Sequence, residues 1–127
     1  MSFEIINPEM LGRPSGWNHG MLGPEGGRVL FVAGQTASEV SGLAAQWGGA
    51  LERVIAVVQA AGGAPHHVGR MTIYVTDRAA YLAARTALGE MHQRYMGRHY
   101  PAMALVEVKA LVDPGALVEI EATAVIP

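Results

Sequence analysis

Three glutamates, Glu107, Glu119 and Glu121, and the single lysine, Lys109, stand among branched apolar residues in the C-terminal stretch 101-PAMALVEVKALVDPGALVEIEATAVIP-127. A carboxylate held in a partly desolvated cleft can take a proton and return it, which is the chemistry of a general acid/base. The other reading of the same residues is a solvated strip on which Lys109 pairs with Glu119 for ~0–1 kcal/mol. Register determines which of them meet. With 112-VDPGA-116 as a hairpin loop, Leu111 faces Leu117, Lys109 faces Glu119, Glu107 faces Glu121 and Met103 faces Val125. Strand alternation then gathers Met103, Leu105, Glu107, Lys109, Glu119 and Glu121 on one face. A slip of one residue would scatter the set.

Other polar residues carry weaker signals. His66-His67 lies on a loop beside Pro65, and His92 falls at a helical position of mixed polarity. No group of histidines and acids has the spacing of a ligand set, so no metal is expected. His19, in 16-GWNHG-20, sits on a Gly-flanked loop; it either bonds the backbone of its own turn or serves a site. Trp17 beside it either packs in the core or lines a ligand cleft. The glycines of 23-GPEGG-27 match neither a dinucleotide fingerprint nor a phosphate-binding loop. No serine stands in a nucleophile elbow.

Bulk properties narrow the classes further. At 127 residues, half of them apolar and 16% charged, the chain reads as one globular domain, residues 1–127. So low a charge density points to surface buried against other subunits. The formal charge is −2, and the eight arginines form no basic run, so no nucleic-acid partner is expected. Cysteine is absent, which excludes disulfides and thiol catalysis. The start, MSFEIINPEM, does not read as a signal peptide, and no uncharged run reaches the ~20 residues of a membrane span. A soluble, cytoplasmic protein is expected, with no membrane partner.

The elements that must position these residues follow from periodicity. Phe3–Ile6 is a short strand closed by Asn7-Pro8. The 23-GPEGG-27 segment reads as a hairpin turn between strands near Gly20–Leu22 and at Val29–Ala33. Leu43, Trp47, Leu51, Ile55 and Val58 recur at helical spacing, predicting a helix to about Ala61. Ser41 is placed to cap it and Gly62-Gly63 to end it. Gly48-Gly49 inside it is unfavourable by roughly 1 kcal/mol per residue relative to alanine, which implies close packing, onto a sheet. Val68–Val75 alternates as a strand. Asp77 caps a second helix with the stripe Tyr81, Ala84, Leu88, Met91 and Tyr95, ending at Gly97. Met103–Leu111 and Leu117–Val125 complete the hairpin.

This order predicts an α+β sandwich of one mixed, five- or six-stranded sheet with two helices on one face. Ala102–Val108 is apolar on both faces, so the uncovered face needs a partner, and a second copy of the chain is the simplest one.

Six segments in order, 16-GWNHG-20, 31-FVAGQTA-37, 44-AAQWGGALERVIAVVQAAGG-63, 70-RMTIYVTD-77, 100-YPAMALVEV-108 and 119-EIEATAV-125, resemble the YjgF-like reactive intermediate deaminase (Rid) family, also known as endoribonuclease L-PSP. The resemblance covers nearly the whole chain. It implies a chorismate-mutase-like fold, a homotrimer with clefts between subunits, and hydrolysis of 2-imino or enamine acids to 2-keto acids and ammonia without cofactor or metal. Carried over residue by residue, Glu119 matches the glutamate that activates water. Gly34, with Ala33 and Gln35 beside it, matches the backbone that contacts the ligand carboxylate. Trp17 stands where many members have a cleft tyrosine.

One position departs. Family deaminases commonly read PARSCVEV, whose arginine holds the substrate carboxylate from a neighbouring subunit; this chain reads PAMALVEV, with Met103 in the arginine's place and Ala104 and Leu105 after it. A guanidinium grips a carboxylate through two charged hydrogen bonds, each of order 1.5–3 kcal/mol; a thioether offers only apolar contact. Arg70, Arg85 or Arg13 is the candidate for a substitute cation. The expected activity is an imine or enamine deaminase with a preference different from simple 2-imino acids, in which Trp17, Met103 and Leu105 form an apolar wall favouring a less charged or aromatic substrate. The alternative is a non-catalytic trimer that binds a metabolite, with ribonuclease activity behind both.

Overall fold

The computed structural model describes residues 3–127 of the chain. Its elements are β1 (Glu4–Ile6), β2 (Gly20–Leu22), β3 (Arg28–Gln35), α1 (Leu43–Ala60), β4 (Val68–Val75), α2 (Arg78–Ala83), α3 (Arg85–Met96), β5 (Ala102–Glu107) and β6 (Val118–Ile126). The architecture is α+β: a mixed four-stranded sheet in the order β3-β6-β4-β5, with the helices packed on one face. β1 and β2 form a separate two-stranded ribbon. Among the described residues no helix is long and apolar enough to cross a membrane.

Two expected hairpins are absent. β2 pairs with β1 and β3 with β6, so 23-GPEGG-27 joins two sheets rather than two neighbouring strands. β5 and β6 do not pair at all: β5 runs parallel to β4, while β6 lies antiparallel between β3 and β4. The cause lies in the connection after β5. That strand ends at Glu107, the Val108 N–H is taken by the Val75 carbonyl (2.8 Å), and the Thr76 N–H by Leu117 O (3.2 Å). The chain is thus carried over the end of β4. Asp113 then accepts hydrogen bonds from Thr36 Oγ1 (2.6 Å) and Ser38 Oγ (2.8 Å), which fixes the loop beside the end of β3. A central place lets β6 satisfy both backbone edges and bury Val118, Ile120, Ala122, Ala124 and Ile126 as one stripe.

That stripe meets Val32, Met71, Ile73 and Val75 of the neighbouring strands and Trp47, Leu51, Val54, Ile55 and Val58 of α1. α1 starts from Gly42 rather than from a Ser41 side-chain cap. The buried Gln46 occupies that end instead: its amide donates to Val40 O and Gly115 O (both 3.1 Å), and its Oε1 accepts from the Leu117 N–H (2.7 Å). Gly62, at φ 86°, ends the helix as its position suggested. Gly48 and Gly49 do mark close packing, but against other partners than the sheet. A methyl on Gly48 would lie 2.8 Å from Met91 Sδ of α3, and one on Gly49 2.6 Å from the Ala37 Cβ. Asp77 caps α2 as expected, Oδ1 accepting from the Ala80 N–H (3.1 Å). The predicted second helix is divided at Ala84 into α2 and α3.

Candidate functional site

Residues paired across neighbouring strands point to the same face, so the register sorts the candidates. Met103 pairs with Met71 and Leu105 with Ile73, both buried under the helices. Glu119 pairs with Tyr74 and Glu121 with Thr72, one residue out of step with that stripe and therefore on the open face. The single face expected for Met103, Leu105, Glu107, Lys109, Glu119 and Glu121 is corrected, because it rested on the absent hairpin. Lys109 has no strand partner to bring it to Glu119; the ion pair among the described residues is Arg53 with Glu39. Glu107 accepts from the Arg78 N–H (2.7 Å) at the start of α2.

The open-face group is built by a bulge. Between Val32, opposite Ala122, and Gln35, opposite Ile120, β3 carries an extra residue. The bulge lays the Ala33–Gly34 backbone over the Glu119 side chain. A methyl on Gly34 would sit 2.5 Å from Glu119 Oε2 and 3.0 Å from its Cγ, so only glycine leaves the carboxylate where it is. Gln35 Nε2 returns to Ala33 O (3.1 Å) and steadies the same segment. Tyr74, which sequence reasoning passed over, donates its hydroxyl to Glu121 Oε1 (2.6 Å). That bond, then burial and the charges of Glu121 and Glu119, raise the phenol above its ordinary pKa against a smaller opposing effect of Arg70. Tyr74 therefore stays a proton donor and engages Glu121. No described side chain or N–H donates to Glu119. The signal for Tyr74 was its alternation with Ile73 and Val75.

The second group faces the helices. Asn18 bridges to Ala102, its N–H bonding Pro101 O (3.2 Å) and its side chain Tyr100 O (2.7 Å). Trp17 is thereby held near Met103. His19 packs edge-on against the Trp17 ring (centroids 4.5 Å, 79°), and its buried Nε2 has no hydrogen-bond partner among the described residues, so that nitrogen makes no bond to its own turn. Trp17, Met103 and Leu105 share a cavity of about 680 Å³ with Trp47, Tyr81 and Arg85. Of the candidate cations Arg85 lines this cavity. Arg70 lines a smaller one, about 170 Å³, beside Phe31 and Glu121 on the open face, and Arg13 lines neither. His92, on the cavity wall, bonds His99 O through Nε2 (2.8 Å), and burial lowers its pKa.

A mixed sheet of this order backed by helices is a fold found in proteins already described. The family model for Endoribonuclease L-PSP matches residues 14–126. A RutC family protein of Pyrococcus horikoshii is 33% identical over 105 residues, covering 77% of this chain and 79% of its own. Among solved structures, the Rid family protein YyfB from Yersinia pestis superposes with a TM-score of 0.81 at 33% identity, over 99% of this chain and all of the other. TdcF of E. coli, solved with bound serine, gives a TM-score of 0.67 at 26% identity, covering 91% of this chain and 92% of its own. The chain belongs to the endoribonuclease L-PSP (YjgF/Rid) family, and its fold is the chorismate-mutase-like sandwich of that family.

Proposed function

We propose that this protein hydrolyses a small imine or enamine metabolite to the carbonyl compound and ammonia, in clefts formed where copies of the chain meet. The observation that carries this reading is the Gly34 backbone laid against the Glu119 carboxylate on an otherwise open sheet face. Glu119 takes a proton from water as the oxygen adds to the C=N carbon. It returns that proton to the nitrogen to give the carbinolamine; a second transfer through Glu119, from the adduct's hydroxyl to its nitrogen, lets the C–N bond break to leave the carbonyl and ammonia. The Ala33–Gly34 segment orients the substrate's polar end. No metal or cofactor enters the scheme.

One chain holds the two groups on opposite faces, so Glu119 and the Trp17–Met103–Leu105 wall would meet only across an interface. The open face supports association: Phe31 is 80% exposed and Val29 and Val106 about half, an apolar surface of the kind that marks contacts. A homotrimer is the assembly we propose, in the cytoplasm, with a metabolite as its other partner and no nucleic acid or membrane. The test is ammonia release from freshly generated imines. Glu119→Gln is expected to lower turnover by about 10²-fold or more without changing assembly in light scattering; equal rates would sink the role of Glu119.

A second reading, a metabolite-binding trimer without turnover, draws on Met103, which offers no cation where the family deaminases carry arginine. It predicts ligand-dependent thermal stabilisation with no ammonia release. Ribonuclease activity stands behind both, given the net charge of −2 and the lack of a basic run.

A further inference from the structure

The chain has two tryptophans, and both line the 680 Å³ cavity between β5, α1 and the α2–α3 pair. We propose that this cavity selects a planar aromatic carboxylate, with Arg85 holding the carboxylate and the surrounding rings packing against the ligand's ring. The proposal deepens the reading above, since the same ligand would present its reacting carbon to Glu119 of a neighbouring copy.

Charge gives the first argument. Arg85 is the only formally charged residue on the wall, which holds no aspartate or glutamate, and it makes no ion pair among the described residues. A guanidinium in that setting is matched by one planar carboxylate, which it can engage through two parallel hydrogen bonds. No lysine or second arginine is at hand for a doubly charged phosphate.

Shape gives the second. Trp47 stacks on Tyr81 (5.9 Å, 22°) and His92 on Tyr100 (4.9 Å, 3°), and Trp17 closes the wall. With Met103 and Leu105 these form an apolar chamber of ligand-binding size, inside the usual range of roughly 300–1,000 Å³. Flat rings pack against ring faces and edges better than puckered ones do. His92 is no second cation: its Nε2 is engaged by His99 O and burial keeps the ring neutral.

Because both tryptophans border the cavity, their emission reports its occupancy. The experiment titrates the intact oligomer with benzoate and phenylacetate. Benzamide serves as the neutral control, cyclohexanecarboxylate as the puckered one and phenyl phosphate as the dianion. Saturable quenching by benzoate is expected, with benzamide and phenyl phosphate about tenfold weaker or more and cyclohexanecarboxylate weaker by a smaller factor. Arg85→Gln should weaken benzoate about tenfold while leaving benzamide unchanged, and Arg85→Lys should fall between. Equal affinity for benzoate and benzamide, a preference for phenyl phosphate, or benzoate binding indifferent to Arg85→Gln would overturn the proposal. Arg85 is exposed on α3, so its loss should leave the melting temperature in place. The two readings fail separately. Unchanged hydrolysis in Glu119→Gln removes the catalytic assignment and leaves the cavity's selectivity standing. Loss of hydrolysis there, with benzoate binding indifferent to Arg85→Gln, removes only the cavity's.

Discussion

The two faces of the sheet carry different kinds of surface. On the open face a carboxylate lies under a strip of backbone, and the decisive contact is made by a residue with no side chain, Gly34. On the covered face the cavity wall is made of side chains: five aromatic or imidazole rings, two apolar residues of β5 and one guanidinium among them. Backbone geometry is indifferent to side-chain identity except where a Cβ would collide. A side-chain wall changes its preference with each replacement. Under the function proposed above, the difference would divide the work, with chemistry resting on the backbone at Gly34 and Glu119 and selectivity on side chains such as Met103.

The sharpest way to break this comparison is to put a Cβ where the backbone half cannot take one. In Gly34→Ala the new methyl meets Glu119 Oε2 at 2.5 Å, and the carboxylate, being the end of a flexible side chain, moves aside. Turnover in the ammonia assay is expected to fall about 10²-fold, as when a catalytic group is misplaced by an ångström. The melting temperature should change little, since the displaced atoms are not in the core. A large loss of stability with turnover retained would show Gly34 to be a packing glycine only.

Next in size is the side-chain half. Met103→Arg places a second guanidinium beside Arg85 on the covered face. It is expected to raise kcat/KM for small aliphatic 2-imino acids by about 10- to 100-fold, the worth of one charged, two-point contact. An unchanged ratio of aliphatic to aromatic substrates would mean that the wall does not set preference.

Much of the fold was legible before any coordinates. The period of two in Val68–Val75 and the stripe Leu43–Val58 placed β4 and α1 within a residue, because such patterns are local. Glycine and aspartate marked helix ends at Gly62, Asp77 and Gly97. Pairing was not legible. Met103 and Glu119 both read as strand residues, but nothing near them announces that β4 separates their strands. That is decided by the Val108, Thr76 and Asp113 hydrogen bonds, which join residues far apart in sequence. The candidate site suffered the same way. Its members were nameable one by one, yet their division between two faces followed from strand order alone. Trp47, Tyr81 and Leu88 read as a core stripe and double as cavity wall.

A smaller effect separates the halves by pH. His92, on the cavity wall, and His99 beside it both have pKa values below the free imidazole's, chiefly because burial disfavours the charged ring. An unfolded state that binds these protons more readily gains on the native one as pH falls. The stabilisation is therefore complete above about pH 6.5, the unfolded value, and is lost as pH falls toward the folded values. Denaturant midpoints should drop between pH 7.5 and 5.5, and His92→Gln should flatten that slope. Glu119→Gln should leave it alone, being on the other face.

The smallest effect concerns the clamp behind the backbone half. Asp113 accepts from Thr36 and Ser38, just past Gly34, and these two bonds hold its carboxyl below the ordinary 3.8. A group whose folded pKa is depressed adds stability that is present above the unfolded value and lost as pH falls through the folded one. Asp113→Asn removes that dependence: acid unfolding below about pH 4 should become shallower, while the midpoint at pH 7 falls slightly. Because the clamp positions the segment that carries Gly34, turnover should decline with it, and aromatic carboxylate binding in the cavity should not. If both functions declined together, the two faces would be mechanically one site, and the contrast drawn between them would have to be abandoned.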